Sequence, residues 1–210
     1  MKCLTVGAAT GFPVPGMRDI ASKPSLRPVA LPAIALAGAL LGAGWDRLHV
    51  HTGTIVYSRP AGGQPWWVLL EFAVVYVSGV LGILRWARPA PDGRSEVRLA
   101  GEALWVTAAY AATAWLHQHE ALVALLLAVG LVARYRTLRE VVGRGPLPAA
   151  ALVVGGPLVE TILVASGVFR YTHASLGKVA LWLPLLYANA IPFAFRLSEA
   201  ALRRWGRPAA

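Results

Sequence analysis

Residues 148–169 read PAAALVVGGPLVETILVASGVF, an apolar stretch whose one ionisable side chain is Glu160. A helix of about 20 apolar residues crosses a bilayer core about 30 Å thick, so this stretch is long enough to span a membrane. Gly155, Gly156 and Pro157 interrupt it near its centre. Because proline cannot donate the backbone hydrogen bond to the carbonyl of Val153, the sequence predicts a kinked transmembrane helix.

Five further stretches have a similar length and apolar character. They lie at about 28–46, 66–86, 98–116, 119–135 and 179–197, so the chain has six candidate spans. The third and fourth meet at a turn, 117–120, that is short enough to make them an antiparallel hairpin. The sequence therefore predicts an all-α, polytopic membrane protein, a bundle of six transmembrane helices.

The composition excludes a soluble single domain. Of 210 residues, 57% are hydrophobic and only 14% are charged, with a mean hydropathy of +0.56, whereas roughly 25% of residues are charged in soluble domains. The net charge of +10 is expected beside membrane helices rather than on a nucleic-acid surface, so we predict no nucleic-acid partner. The single cysteine, Cys3, has no partner for an intramolecular disulfide or a metal cluster.

The distribution of basic residues predicts the orientation. Sixteen of the twenty lysines and arginines lie in the N-terminal segment, the 2–3 and 4–5 connections and the C-terminal end. The positive-inside rule therefore places both termini in the cytoplasm. We predict a flexible tail over residues 1–26 that is not a signal peptide, a six-helix transmembrane domain over 27–200, and a basic tail over 201–210.

Three glutamates lie within the predicted spans. Glu160 is near the middle of the fifth span, Glu71 about one turn inside the outer end of the second, and Glu102 about one turn inside the cytoplasmic end of the third. An ionisable residue in a span costs roughly 2.5–3.5 kcal/mol, so it needs a polar partner or a wet cavity. Two interpretations stay open, a contact with a bound ligand and a hydrogen bond between helices.

Bent helices leave room for a lipid between them, and the sixth span also contains Pro184 and Pro192. We predict a lipid-binding site formed by polar, aromatic and helix-breaking residues of the second, third and fifth spans: Glu160, Glu71, Glu102, Pro157, Thr161, Tyr76 and Trp105. Gly38, Ala39 and Gly42, and likewise Ser78 and Gly82, form faces of small residues that suit either internal packing or a homo-oligomer.

No catalytic motif is present. The chain has no Walker loop, HExxH, GxSxG or GxGxxG sequence, and we predict no cofactor. The five histidines fall on the outer side, but loop histidines of this spacing are not specific, so we predict no metal site. Two alternatives remain: a membrane enzyme that uses Glu160 with Glu71 or Glu102 as acid and base, and a small transporter, for which no internal repeat is visible.

Two motifs resemble a known family. Residues 167–172 read GVFRYT and residues 179–188 read VALWLPLLYA. They resemble the Insig family, the sterol-responsive regulators of the endoplasmic reticulum. The strongest matches are Tyr171-Thr172 and Trp182-Leu183-Pro184, with a looser one at Asp46-Arg47. The six-span plan with cytoplasmic termini extends the resemblance over most of the chain.

The resemblance implies a non-enzymatic helical bundle that binds an oxysterol or another lipid and engages a membrane partner with a sterol-sensing domain. In the 4–5 connection, RYRTLREVVGRG, Glu140 is the one candidate for the acidic residue that the family uses there, so a partner of the animal kind is not expected. The composition, rich in Ala, Arg and Gly, is typical of bacteria. We therefore expect a multi-pass protein of a bacterial cytoplasmic membrane with a diacyl lipid or isoprenoid ligand; a eukaryotic chain would lie in the endoplasmic reticulum.

Overall fold

The computed structural model describes residues 25–59 and 63–207, which form mostly helices with two short strands. Of the predicted tails, residues 1–24 and 208–210 lie outside the described residues. The elements in chain order are α1 (Ala30–His51), β1 (Ile55–Tyr57), α2 (Trp67–Trp86), α3 (Ser95–Trp115), α4 (Glu120–Ala133), α5 (Tyr135–Arg144), α6 (Pro146–Ala150), a π-helical turn (Ala151–Gly155), α7 (Gly156–Ala165), β2 (Phe169–Tyr171) and α8 (Leu183–Trp205).

Helix α8 is the centre of the bundle. It packs against α2, α3, α4, α5 and α7, and Asn189, Phe195 and Glu199 on it are almost completely buried. The sequence predicted this span over 179–197, but α8 begins at Leu183 and continues to Trp205. Trp182 immediately precedes α8 and is fully buried in the largest core cluster. It therefore anchors the segment before α8 to the core.

A small antiparallel sheet corrects the all-α prediction. Ile55 lies opposite Tyr171 and Tyr57 opposite Phe169, and all four side chains are buried. Gly53 (φ 74°) and Gly167 (φ 75°) end the preceding helices in the left-handed region, which glycine adopts without strain. Residues 166–169, predicted as the end of the fifth span, therefore turn and enter β2. Strands of three residues are too short to show an alternating pattern, so the sequence did not predict them.

Helices α1 and α2 approach each other closely through two glycines. A Cβ atom at Gly38 would collide with the Tyr76 ring, and one at Gly42 would collide with the Phe72 ring. Small residues at this spacing allow helix backbones to come together. Of the two interpretations of the α1 glycines, internal packing therefore applies.

The predicted kink at Pro157 takes the form of a π-helical turn. Pro146–Ala165 is one apolar run in which residues Ala151–Gly155 adopt the wider π geometry immediately before Gly156-Pro157. Such turns are common where the regular helical hydrogen bonding is broken. No residue of the following α7 is buried.

The fourth predicted span, 119–135, is shorter than expected. Helix α4 ends at Ala133, and the chain bends by 73° into α5, which the sequence analysis placed in a loop. Helices Trp67–Trp86 and Pro146–Ala165 are each long and apolar enough to cross a membrane, and α4 with α5 would be a third if the bent pair is one span.

Candidate functional site

Two carboxylates are held by tyrosines that lie eleven residues further along the chain. The Tyr57 hydroxyl on β1 donates to Asp46 Oδ2 on α1 over 3.1 Å. The Tyr171 hydroxyl on β2 donates to Glu160 Oε2 on α7. Each carboxylate has a second donor: Gln64 Nε2 lies 2.8 Å from Asp46 Oδ2, and the Tyr187 hydroxyl lies 2.7 Å from Glu160 Oε1.

The two carboxylate pairs belong to the same local arrangement. In both, a helix with the carboxylate ends at a glycine in the left-handed region, and a three-residue strand with the tyrosine last follows. Residues 53–57 read GTIVY and residues 167–171 read GVFRY. Because β1 and β2 pair antiparallel, the two units meet at the sheet. The equal spacing of glycine and tyrosine in the two units was the signal in the sequence for this arrangement. It is too short to appear as a repeat of whole spans.

The electrostatics around Tyr57 show that three carboxylates lie near one another. Burial raises the pKa of the Tyr57 hydroxyl well above its ordinary value, and the negative charges of Asp46, Glu71 and Glu160 raise it further. Glu71 and Glu160, two of the predicted site residues, are thus brought together at the sheet end of the bundle. The pKa of Tyr171 is also raised by burial and by the charge of Glu160.

Helices α2 and α7 pack mainly on other elements rather than on each other. Helix α2 packs against α6, whereas α7, which continues the same helical run, packs against α8 and β2. Leu158, Val159 and Ile162 on α7 are each more than half exposed. Glu71 and Glu160 are partly buried. We call the region between Glu71 on α2 and Glu160 on α7, at the sheet end, the α2–α7 cleft; it lies beside exposed apolar residues of α7 and a tyrosine-bound carboxylate.

Glu102 and Trp105 lie in a different cluster. The buried Glu102 accepts a hydrogen bond from the Arg134 guanidinium, which also lies 4.8 Å from the centre of the Trp105 ring. Trp105 Nε1 donates to Asn189 Oδ1 over 3.0 Å. The carboxylate, the cation and the indole therefore have protein partners, and Glu102 is not brought together with Glu160.

The other predicted residues make local contacts. Thr161 Oγ1 donates to the Pro157 carbonyl over 2.7 Å, within its own helix. Pro157 itself follows the π-helical turn at the start of α7. The Tyr76 ring packs on Gly38 and meets the edge of Phe193 at 6.0 Å between ring centres. Of the seven residues, Glu160 and Glu71 are the two acidic residues that lie near each other.

A buried ion network joins α8 to α5 and to the 2–3 connection. Glu199 accepts hydrogen bonds from Arg144 Nη1 (2.5 Å), Arg196 Nη1 (2.8 Å) and the Ala90 backbone nitrogen (3.3 Å). Glu199 and Arg196 are 0% and 2% exposed. Glu140, the acidic residue of the 4–5 connection, contacts both arginines. The sequence did not predict this network, because the bend before α5 brings the α5 residues to α8.

Two of the five histidines, His49 and His117, make ordinary hydrogen bonds. His49 Nε2 lies 2.8 Å from Thr113 Oγ1, and His117 Nδ1 lies 2.7 Å from the Ala114 carbonyl oxygen. Within residues 25–59 and 63–207, no group of three or more histidine, cysteine or acidic side chains is placed to hold a metal ion. His49 and His117 therefore have hydrogen-bond partners within the protein.

A recess lies between the second half of α1 and the start of α2. Its volume is about 270 Å³, and it is lined by Leu40, Ala43, Gly44, Arg47, Gln64, Pro65, Trp66 and Leu69. None of the seven predicted residues lines it. Gln64 joins it to the site, since its amide donates to both Asp46 Oδ2 and the Ala43 carbonyl.

The chain is similar to a known protein and to two solved structures. No family model matches the chain. An INSIG protein homolog of Mycolicibacterium vanbaalenii is 32% identical over 188 residues, 84% of this chain and 87% of the homolog. The crystal structure of MvINS, a mycobacterial Insig homolog from Mycobacterium vanbaalenii, matches with a TM-score of 0.67 and 29% identity, covering 88% of this chain and 99% of that one. A cross-linked trimer of an MvINS variant matches with a TM-score of 0.68, 30% identity and the same coverage.

Proposed function

The chain belongs to the Insig family, and from this membership we propose that it is a non-enzymatic membrane protein that binds a lipid between its helices and acts as a lipid sensor. The observation that carries the proposal is the Glu160 carboxylate, which two tyrosine hydroxyls hold on a helix with no buried residue. A carboxylate at this position is costly in a membrane, and its two tyrosine partners offset part of that cost.

The chemistry of the cleft favours a lipid with a hydrogen-bond donor in its polar part. Each carboxylate oxygen has two lone-pair sites, so Glu160 can accept a donor from a ligand in addition to Tyr171 and Tyr187. The exposed apolar side chains of α7 would lie along the hydrocarbon chains of the ligand. A diacyl lipid, an isoprenoid and a sterol-like molecule all satisfy this description.

An acid–base enzyme is the weaker candidate. The Arg134 guanidinium pairs with the Glu102 carboxylate. Glu102 is therefore not available as the second acid–base group beside Glu160. Glu71 is the remaining partner. Recovery of a chemically altered lipid from the purified protein would favour the enzyme over the lipid-binding protein.

Loss of the Tyr187 hydroxyl tests the cleft. We expect Tyr187→Phe to lower the amount of lipid that copurifies with the protein by about threefold to tenfold. Glu160 loses one of the two donors that position it, and misplacing a single hydrogen bond to the lipid costs roughly 0.5–1.5 kcal/mol. The measurement is native mass spectrometry of the detergent-purified chain, with extraction of the bound lipid. Glu96→Gln is the control, since Glu96 is exposed at the start of α3 and pairs with Arg203. Equal lipid occupancy in both variants, with folding intact, would contradict the proposal.

We also propose six spans with both termini in the cytoplasm. The proposal is supported by the sixteen-to-four distribution of basic residues and by the apolar helices Trp67–Trp86 and Pro146–Ala165. The membrane would be the cytoplasmic membrane of a bacterium, or the endoplasmic reticulum if the chain is eukaryotic. The trimer formed by cross-linked MvINS supports a homo-oligomer for this chain as well. We expect no animal-type sterol-sensing-domain partner.

Cysteine accessibility tests the orientation. In a Cys3→Ser background, Gly62→Cys is expected to react with a membrane-impermeant maleimide in intact cells. Gly143→Cys, on the exposed side of α5, should react only after permeabilisation, and tags at Met1 and Ala210 should report the cytoplasm. The reverse pattern for the two cysteines would overturn the orientation.

A further inference from the structure

Helix α5 is amphipathic and lies across the direction of α4. The two helices are bent by 73°, so α5 runs along the end of the bundle. Val141 on its inner face is completely buried, and Leu138 and Val142 pack in the same cluster against Ile83 of α2. Arg136 and Arg139 on the opposite face are exposed. They are three residues apart, so their side chains are neighbours on the helix surface.

Two further exposed arginines lie at the end of α2 and just after it, beside the C-terminal end of α5. The Arg88 backbone nitrogen donates to the Arg144 carbonyl over 3.0 Å, which places the end of α2 beside the end of α5. The side chains of Arg85 and Arg88 are exposed. We call these four exposed arginines, Arg85 and Arg88 at the end of α2 and Arg136 and Arg139 along α5, the basic rim.

The nearby acidic residues are already engaged elsewhere. Glu102 pairs with Arg134, while Glu140 and Glu199 pair with Arg144 and Arg196. Among the residues that the structure describes, no carboxylate lies within 4.0 Å of the four guanidinium groups of the rim. The rim therefore has four positive charges without a paired anion in this part of the chain.

Two exposed aromatic residues flank the basic rim. Trp86 is 59% exposed and Tyr135 is 58% exposed. Tryptophan and tyrosine are enriched at the depth of lipid head groups, and an amphipathic helix with basic residues on its polar face is typical of a membrane surface. The rim thus combines fixed positive charge with residues suited to the head-group region.

We propose that the basic rim is a binding site for the head groups of anionic phospholipids, separate from the α2–α7 cleft. Its ligand is the phosphate of a lipid in the surrounding leaflet, with Arg136 and Arg139 as the main contacts. Guanidinium groups bind phosphate oxygens through paired hydrogen bonds. A zwitterionic lipid would gain less, because its own cation offsets the phosphate charge.

The test compares phosphatidylglycerol with phosphatidylcholine of identical acyl chains, titrated onto the full chain in detergent and counted by native mass spectrometry. Each basic residue near an anionic lipid surface contributes about fivefold to binding. The double variant R136Q/R139Q is therefore expected to bind phosphatidylglycerol about thirtyfold more weakly and phosphatidylcholine unchanged. The matched control R47Q/R170Q removes two exposed arginines elsewhere and should keep the wild-type preference.

Three results would overturn the proposal. One is an unchanged preference for phosphatidylglycerol in R136Q/R139Q. Another is an equal loss in R47Q/R170Q, which would make the effect one of overall charge. The third is displacement of phosphatidylglycerol by excess inorganic phosphate, which would identify a site for free phosphate. Tyr187→Phe should leave the preference for phosphatidylglycerol unchanged. The experiment can therefore contradict the proposal for the cleft and the proposal for the basic rim separately.

Discussion

Replacing Glu199 with glutamine is expected to lower the free energy of unfolding by about 3–5 kcal/mol, the usual cost of leaving a buried charge unpaired. Glu199 is completely buried and receives donors from Arg144, Arg196 and the Ala90 backbone. Glutamine keeps the size of the side chain but removes the negative charge that compensates the buried guanidinium of Arg196. The measurement is equilibrium unfolding of the purified protein in mixed micelles.

Glu96→Gln is the matched control for this prediction. Glu96 also pairs with an arginine, Arg203, but both side chains of that pair are more than 40% exposed. Exposed ion pairs contribute about 0–1 kcal/mol, so the control should be nearly neutral. If both variants lose the same stability, the Glu199 network contributes no more than a surface pair. The difference between the two variants measures how strongly α8 holds α5 and the 2–3 connection.

The sequence predicted a helical membrane protein because the length and apolar character of each span can be read from consecutive residues. Residues 148–169 are apolar over a length that suits a membrane span, and Pro157 marked the irregular turn correctly. Helix α5 was missed because its arginines dominated the composition of the 4–5 connection. The spacing of Leu138, Val141 and Val142, which forms its buried face, was the signal that could have identified it.

The candidate site was predicted less completely than the fold, because its contacts join distant parts of the chain. Placing Glu160 in a span correctly predicted that it needs a polar partner, and Tyr171 was singled out through the GVFRYT motif, but nothing in either pattern joined the two. Glu102 pairs with Arg134, 32 residues away, across the hairpin of α3 and α4. The sequence predicted this hairpin, but its pattern did not join these two side chains.

Adding one methyl group at Gly156 is expected to lower both stability and lipid binding. A Cβ atom there would collide with Cε1 and Cζ of the Tyr187 ring, whereas a Cβ at the neighbouring Gly155 would meet nothing within 4 Å. Overpacking of this kind costs about 1–3 kcal/mol. In a helix, alanine otherwise stabilises by about 0.5–1 kcal/mol relative to glycine. Gly156→Ala should therefore unfold more readily than wild type, and Gly155→Ala should be equally or more stable.

The pair of alanine variants also links the backbone to the proposed function. If the Tyr187 ring tilts away from the new methyl group, its hydroxyl leaves Glu160 Oε1, and the amount of bound lipid should fall about threefold to tenfold, as in Tyr187→Phe. If the ring stays, α7 must move away from α8 and carry Glu160 with it, so the cleft changes in either case. Native mass spectrometry and unfolding of the two variants in the same detergent provide the comparison. Wild-type lipid occupancy in Gly156→Ala, together with reduced stability, would show that the contact between Gly156 and Tyr187 supports only the packing of α7 on α8, and that the lipid is held without the Tyr187 hydroxyl.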